Sequence, residues 1–132
     1  MLSSSLTIIN RSNYGYLNML YNFNCFASRL GLKYLVVALD KNIYTEIGWR
    51  KTFNSIYSPS VGKLKLDKNY SFRTPQFNYM SRKKLEASYK AMNLGFDVVF
   101  IDVDVVLVND PIPHLIWKNI DYSHALNIYC PR

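Results

Sequence analysis

The sequence from Phe96 to Leu115 reads Phe-Asp-Val-Val-Phe-Ile-Asp-Val-Asp-Val-Val-Leu-Val-Asn-Asp-Pro-Ile-Pro-His-Leu. An apolar, mostly β-branched run over 98–101 leads directly into two acidic residues, Asp102 and Asp104. A continuous apolar run bounded by turn residues is typical of a strand buried on both faces. Here a glycine precedes the segment and an Asp-Pro pair follows it. We therefore predict a central, buried strand that ends in two carboxylates.

Two carboxylates in such a place are expected to be paired or to bind a metal, because burying an isolated charge is costly. Side chains alternate along a strand, so Asp102 and Asp104 point to the same side if the strand continues through them. Oxygen ligands suit hard cations such as Mg²⁺ and Mn²⁺, and open α/β sheets bind ligands at the carboxyl ends of their strands. Asp102-Val103-Asp104 therefore predicts a divalent-metal site that neutralises a bound phosphate or diphosphate. The simpler alternative is that both acids end the strand and face water.

Length and composition indicate a folded chain of one domain or part of one. The chain has 132 residues, of which 49% are hydrophobic, and its formal net charge is +7. Nucleic-acid binding is one interpretation of a basic chain. We do not favour it, because the basic residues form no nucleic-acid motif and the acidic cluster would repel phosphate in the absence of metal. A small anionic substrate fits the charge pattern better.

The two cysteines, Cys25 and Cys130, do not establish a disulfide framework. Cys25 lies within a predicted helix, and we expect it to be in the core. The sequence contains no signal peptide and no long apolar segment. We therefore expect either a soluble protein or one whose N-terminal targeting region is missing from this sequence, with no membrane segment in this chain.

The first forty residues predict a strand, a helix and a second strand. Residues 6–9 form a short apolar run, and apolar residues then recur at helical spacing from Leu17 to Leu30, where Gly31 ends the pattern. Residues 33–40 form a second apolar run that ends in an acid. A helical crossover between two buried strands indicates a parallel pair.

Residues that follow the two predicted strands are expected at the same sheet edge as Asp102. These are the loop residues 10–13 after the first strand, including Asn10 and Arg11, and Asp40 after the second strand. Asp40 has an equally good alternative role as the cap at the end of its strand. The fold class predicted from these elements is α/β, with a Rossmann-like, mostly parallel sheet flanked by helices.

The middle of the chain predicts two further helices. We expect the first over residues 41–55 and the second from Thr74-Pro75 to Leu94, since proline is tolerated in the first helical turn. Three consecutive basic residues, 82–84, lie on the second helix. They form either a solvated stripe or a group of which one member reaches a phosphate or the acidic site. Residues 63–67 indicate an edge strand or a loop, and a further strand is expected to begin at Asp121.

The segment Phe100-Ile-Asp-Val-Asp-Val-Val-Leu-Val-Asn-Asp-Pro-Ile-Pro-His-Leu115 resembles the DxD region of the nucleotide-diphospho-sugar transferase family. These glycosyltransferases have the GT-A fold and include plant and algal cell-wall enzymes. The resemblance starts at the basic residues 82–84, and the earlier segment 13–40 is similar to the opening strand, helix and strand of the family. A DxD motif is weak evidence by itself, but its combination with the Asp-Pro corner and Val-Val-Ala-Leu-Asp40 is more specific.

The resemblance implies a retaining transfer of a sugar from a nucleotide donor, usually UDP-linked, to a glycan or glycoprotein acceptor. Asp102 and Asp104 would hold Mn²⁺ (or Mg²⁺) against the diphosphate, where the metal acts as a Lewis acid. By fold analogy, Asn10 and Arg11 are expected to lie at the nucleotide-sugar site. The same site is expected to include Asp40, Lys83 and Val103. Members of the family are typically Golgi membrane proteins with a lumenal catalytic domain.

The chain ends soon after the metal motif, where the family has further strands and usually another metal ligand. We therefore expect residues 1–132 to be the N-terminal, nucleotide-sugar-binding part of a GT-A domain. Two alternatives stay open. Val98 to Val106 resembles the haloacid-dehalogenase phosphatase signature, with Asp102 as nucleophile and Asp104 as acid/base, although Val105 replaces the usual glycine. The other alternative is an inactive fragment that binds nucleotide sugars.

Overall fold

The computed structural model describes residues 6–50, 53–58 and 68–115. In chain order its elements are β1 (Leu6–Ser12), a 3₁₀ turn (Tyr14–Tyr16), α1 (Leu17–Arg29), β2 (Tyr34–Ala38), α2 (Lys41–Gly48), β3 (Asn54–Tyr57), α3 (Pro75–Asn93), β4 (Asp97–Phe100) and α4 (Ile112–Leu115). The predicted edge strand or loop at 63–67, the predicted strand beginning at Asp121, and Cys130 all lie outside the described residues.

The four described strands form one sheet in the order β3-β2-β1-β4, and every pair is parallel. The predicted α/β class with a parallel sheet flanked by helices is confirmed. The predicted central position of the Phe96 strand is wrong within the described residues, because β4 pairs only with β1 and lies at the sheet edge there. Its residues Val98, Val99 and Phe100 are half-buried, and full burial begins at Ile101.

One face of the sheet is covered by α1 and α2. In the register, Ile8 of β1 lies beside Tyr34 of β2, so the alternate residues Val36 and Ala38 point to the same face. There they contact Leu20, Ile43 and Ile47 of the two helices, while Ile8 packs against Phe23 and Ala27. The opposite face, which carries Ile9, Arg11 and Val37, is turned towards α3.

Helices α1 and α3 each end at a glycine, which explains why the sequence pattern located the C-terminal ends of both helices. Gly31 and Gly95 both adopt positive φ angles, of 67° and 85°, one residue beyond the cap of α1 and α3. After each glycine, a backbone N–H turns back to the helix: Leu32 donates to Ala27 and Phe96 donates to Ala91. This is the glycine-terminated Schellman arrangement, which only glycine adopts without a steric cost.

Helix α3 begins where the Thr74-Pro75 pair predicted it. The Thr74 hydroxyl accepts a hydrogen bond from the Phe77 N–H at 3.2 Å, and Pro75 occupies the first helical position. The helix has 19 residues and buries only Met80 completely. No helix within the described ranges combines the length and apolar character needed to cross a bilayer.

The predicted helix over 41–55 is too long. Helix α2 ends at Gly48, and residues 54–57 form β3, which pairs with β2 so that Val37 lies beside Ile56. The strand lies at the sheet edge of the described structure, with Ile56 and Tyr57 exposed. Because no residue of β3 is buried, the strand lacks the apolar pattern that identified the other strands.

The prediction that Cys25 belongs to the core is also wrong, since its side chain is exposed. Helix α1 turns Leu20, Phe23 and Ala27 towards the sheet. Each residue of a helix is rotated by about 100° from the one before it. Cys25, two positions after Phe23, therefore lies on the outer side of the helix.

The loop after β1 is packed tightly against the segment 68–70. The Asn13 side-chain amide donates to the Lys68 carbonyl at 2.7 Å. A Cβ atom added at Gly15 would lie 2.6 Å from the Asn69 backbone nitrogen and 2.6 Å from the Lys68 carbonyl carbon. These neighbours are backbone atoms, which have little freedom to move away. Glycine is therefore required at position 15 by the closeness of the two segments.

Gly15→Ala is expected to destabilise the protein by roughly 1–3 kcal/mol, the usual cost of overpacking a tight contact. Gly48→Ala is the matched control, because a Cβ atom there meets nothing within 4 Å and the residue is helical. We expect this control to be neutral or more stable by up to about 1 kcal/mol. Urea unfolding of both variants measures the difference, and equal stabilities would contradict the close packing of this loop.

Candidate functional site

The two acidic residues of the DxD segment lie in a turn immediately after β4. The strand ends at Phe100, and the Val105 N–H donates to the Asp102 carbonyl at 3.2 Å, which closes the turn. Val103 is buried among core residues of the α1 and α2 face. The predicted common orientation of the two acids required a strand that continues through them, but β4 ends at Phe100, so strand alternation does not apply in this turn. Asp102 and Asp104 nevertheless line the same cavity, which Val103 also lines.

Asp102 and Asp104 line a cavity of about 250 Å³ at the carboxyl edge of the sheet. The other described residues that line it come from the end of β1, the following loops and α3: Arg11, Ser12, Asn13, Tyr16, Leu39, Phe77, Met80, Ser81, Lys84 and Val103. Arg11 and Val103 are thus brought to the acids, as predicted. Ser12 and Asn13 belong to the segment 10–13 that was predicted to lie at this edge. Ser81 and the aromatic lining residues carried no signal in the sequence that would have identified them.

Arg11 is the buried cation of this cavity. The residue is only 9% exposed, and its Nη1 atom has no hydrogen-bond partner among the described residues. Burial lowers the pKa of Arg11 to about 10, while the negative charge of Asp102 raises it. The guanidinium therefore stays protonated at neutral pH, with donor capacity directed to a site that also holds a carboxylate. A buried cation with an unused donor is suited to receiving an anion.

One of the three basic residues 82–84 on α3 contacts the acidic residues. The Lys84 ammonium forms a salt bridge with Asp102 and lies 5.5 Å from the centre of the Phe100 ring. Lys83, the residue predicted to bind nucleotide sugar, points elsewhere and donates to Glu86 at 2.6 Å. Adjacent helical residues differ by about 100° in direction, and Lys83 is not among the described residues that line this cavity. The structure therefore places Lys84, rather than Lys83, at the acidic site.

Lys83 belongs instead to an ion-pair network on α3. Glu86 accepts hydrogen bonds from Lys83 and from Lys90, and these bonds lower the pKa of Glu86 to about 2. The hydrogen bond to Glu86 also raises the pKa of Lys83. Such i,i+3 and i,i+4 pairs stabilise a helix modestly. Within the described structure, the contacts of Lys83 are thus accounted for without a ligand.

Asp40 acts as a structural cap. One of its carboxylate oxygens accepts a hydrogen bond from the Ile43 N–H at the start of α2, at 3.0 Å. The other accepts from the Tyr14 N–H at 2.6 Å and so ties the loop after β1 to α2. Asp40 follows its strand at the predicted edge, but it is not among the described residues that line the acidic cavity. The capping alternative is the one that the contacts support.

Asn10 is fully buried and also lies away from this cavity. It precedes Arg11 in β1 and therefore points to the opposite face of the sheet, towards α1 and α2. Neither polar atom of its side-chain amide has a hydrogen-bond partner among the described residues. The structure does not bring Asn10 to the predicted nucleotide-sugar site.

The donor set of the cavity fits a divalent metal that is shared with a bound phosphate. Asp102 and Asp104 supply carboxylate oxygens from one turn. The described residues contain no group of three or more His, Cys, Asp or Glu side chains placed to hold a metal ion. Mg²⁺ typically binds through one or two carboxylates, with substrate phosphates and water completing its coordination. Two carboxylates beside a buried arginine match that pattern.

Comparison with known proteins places the chain in a family. The model of the nucleotide-diphospho-sugar transferase family matches residues 31–130, which include β2, α3, β4 and the Asp102–Asp104 turn. No curated protein and no solved structure matches the chain. The family match favours the transferase hypothesis over the phosphatase hypothesis. The parallel sheet brings two acids and a buried arginine to one cavity. From the family match, the chain belongs to the nucleotide-diphospho-sugar transferase family.

Proposed function

We propose that the cavity at Asp102 and Asp104 binds the diphosphate of a nucleotide sugar, most simply a UDP-sugar, together with Mn²⁺ or Mg²⁺. The observation that supports this proposal is the placement of two carboxylates, a buried arginine and a lysine around one cavity in a chain of this family. The carboxylates suit the metal, and the arginine suits phosphate oxygens. The function is the transfer of the sugar from the nucleotide to an acceptor.

The roles of the residues follow from their positions. Asp102 and Asp104 would hold the metal, which supplies Lewis-acid stabilisation of the departing diphosphate when it is bound. Arg11 donates hydrogen bonds to a phosphate oxygen from a fixed position, since its side chain is buried at the end of β1. Val103 keeps the turn in place through its contacts in the core. The Tyr16 and Phe77 rings form the less polar part of the wall.

The acceptor and the cellular location extend the same proposal. By the family resemblance, the acceptor is a glycan or glycoprotein, and the domain works in the Golgi lumen. The proposal assigns no binding role to Asn10, Asp40 or Lys83, because their contacts in the structure place them away from this cavity.

Arg11→Met is expected to weaken UDP binding in the presence of Mn²⁺ by about tenfold or more, since a charge-assisted hydrogen bond contributes roughly 1.5–3 kcal/mol. Methionine fills much of the same volume and carries no charge that needs burying, and circular dichroism checks that the variant is folded. Isothermal titration of the 132-residue chain with UDP, with Mn²⁺ and with EDTA, measures the affinity. Uridine, which lacks phosphates, provides the comparison ligand.

Arg29→Met is the matched control, because Arg29 is exposed in the last turn of α1. It should bind UDP as the unaltered chain does. If the unaltered chain is folded and binds no UDP with Mn²⁺, the proposed function of this chain is wrong. If it binds UDP but Arg11→Met retains full affinity, the diphosphate does not lie against Arg11.

A further inference from the structure

The charges that line the acidic cavity cancel one another. Among the described residues, its ionisable lining groups are the cations Arg11 and Lys84 and the anions Asp102 and Asp104. A divalent metal alone would therefore enter a site that already contains two positive charges. A metal together with a diphosphate brings a compensating negative charge, so the pair is better matched to the cavity than the metal alone.

Lys84 forms a salt bridge with one of the two acids, Asp102. Its ammonium contacts an Asp102 carboxylate oxygen, and its position above the Phe100 ring adds a second favourable contact. Both side chains of the pair are partly buried, so solvent screens their attraction incompletely. A metal ion bound to the same carboxylate would lie close to the ammonium and be repelled by it. Metal binding at Asp102 thus requires the ammonium to move.

A lysine side chain can make this movement, because it has four methylene groups and its ammonium carries three rotatable donors. The displaced ammonium needs a new anionic partner. A diphosphate in the same cavity provides phosphate oxygens within its reach, whereas the metal alone provides none. The free energy lost when Lys84 leaves Asp102 is therefore offset by new contacts only when nucleotide and metal are both bound.

We propose that Lys84 is an internal counter-cation that holds Asp102 until metal and nucleoside diphosphate replace it together, so that the two ligands bind cooperatively. This inference rests on the proposed function of the cavity. Lys84 acts here as a positioning residue, through its contact with Asp102. By linkage, the factor by which Mn²⁺ strengthens UDP binding equals the factor by which UDP strengthens Mn²⁺ binding. Lys84 contributes to that common factor.

The test compares Lys84→Met with the unaltered 132-residue chain. Mn²⁺ binding is measured by electron paramagnetic resonance of the free ion, with and without UDP, and UDP binding by calorimetry with and without Mn²⁺. We expect Lys84→Met to bind Mn²⁺ alone about tenfold more tightly, and the coupling factor between Mn²⁺ and UDP to fall by about tenfold, within the usual size of such couplings. Lys84→Arg keeps the charge and should retain most of the coupling.

Lys83→Met is the matched control, because Lys83 is the neighbouring residue and pairs with Glu86 instead of Asp102. Its Mn²⁺ affinity and coupling factor should be unchanged, and circular dichroism checks that each variant is folded. If the unaltered chain binds UDP with Mn²⁺ while Lys84→Met leaves the Mn²⁺ affinity unchanged or weaker, this inference is overturned and the proposed function stands. If the folded, unaltered chain binds no UDP with Mn²⁺, the proposed function fails, and this inference fails with it.

Discussion

Asp102→Asn is expected to reduce Mn²⁺-dependent UDP binding by about 100-fold or more. Even the loss of a group that only orients a metal ligand commonly costs 10–100-fold in affinity, and Asp102 is proposed as a ligand itself. The change also removes a negative charge and leaves the Lys84 ammonium without its carboxylate partner, so the cavity becomes less favourable for Mn²⁺. The amide of asparagine is nearly isosteric with the carboxylate, so the turn should be preserved. Calorimetric titration with UDP and Mn²⁺ measures the effect.

Asp97→Asn is the control for this experiment. Asp97 is exposed at the first residue of β4, whereas Asp102 follows the last residue of the same strand. The two substitutions make the same chemical change at opposite ends of one strand. Asp97→Asn should bind as the unaltered chain does. Equal loss in both variants would indicate damage to the strand rather than removal of a metal ligand.

Leu20→Ala is expected to lower the free energy of unfolding by about 2–5 kcal/mol. Leu20 is fully buried between β2 and α2, where it contacts the cluster that also holds Val103. Removing a large apolar side chain from such a place loses its burial and leaves a cavity that the surroundings fill only in part. Domains are stable by about 5–15 kcal/mol, so this is a large fraction of the total. Urea unfolding followed by circular dichroism measures it.

Met19→Ala is the corresponding control on the same helix. Met19 precedes Leu20 directly but is 42% exposed. Its replacement should change stability by less than about 1 kcal/mol. A larger loss for Met19→Ala than for Leu20→Ala would mean that α1 is rotated relative to the sheet. Because Leu20 and Val103 share a cluster, such a rotation would also displace the Asp102–Asp104 turn.

Local patterns of the sequence located most of the helices and strands correctly. The apolar runs before Asn10 and Asp40 identified β1 and β2, although β1 continues past the predicted end at residue 9 to Ser12. The Thr74-Pro75 pair identified the start of α3. These signals are local, because strand runs, caps and terminal glycines depend on residues close in the chain. β3 was missed, since a short, exposed edge strand has no such pattern.

The candidate site was predicted in part. The sequence singled out Asp102, Asp104, Arg11 and Val103, and the structure brings these four residues to one cavity. From the run of three basic residues the prediction chose Lys83, whereas the structure places Lys84 beside the acids. Which of the two lies there depends on the rotation of α3 about its axis, which is set by the packing of Met80 against Leu39. The packing of segments that are distant in the chain cannot be predicted from the spacing of neighbouring residues in the sequence.

The sequence alone determined the α/β class, the order of the main elements and the position of two acids after a strand, because each of these is encoded by neighbouring residues. The tertiary structure decided that Lys84 contacts Asp102, that Asp40 accepts a hydrogen bond from the Tyr14 N–H, and that Cys25 is exposed. Each of those outcomes depends on which way a helix or strand faces when distant segments pack together, and a rotation of about 100° per residue exchanges one neighbour for another.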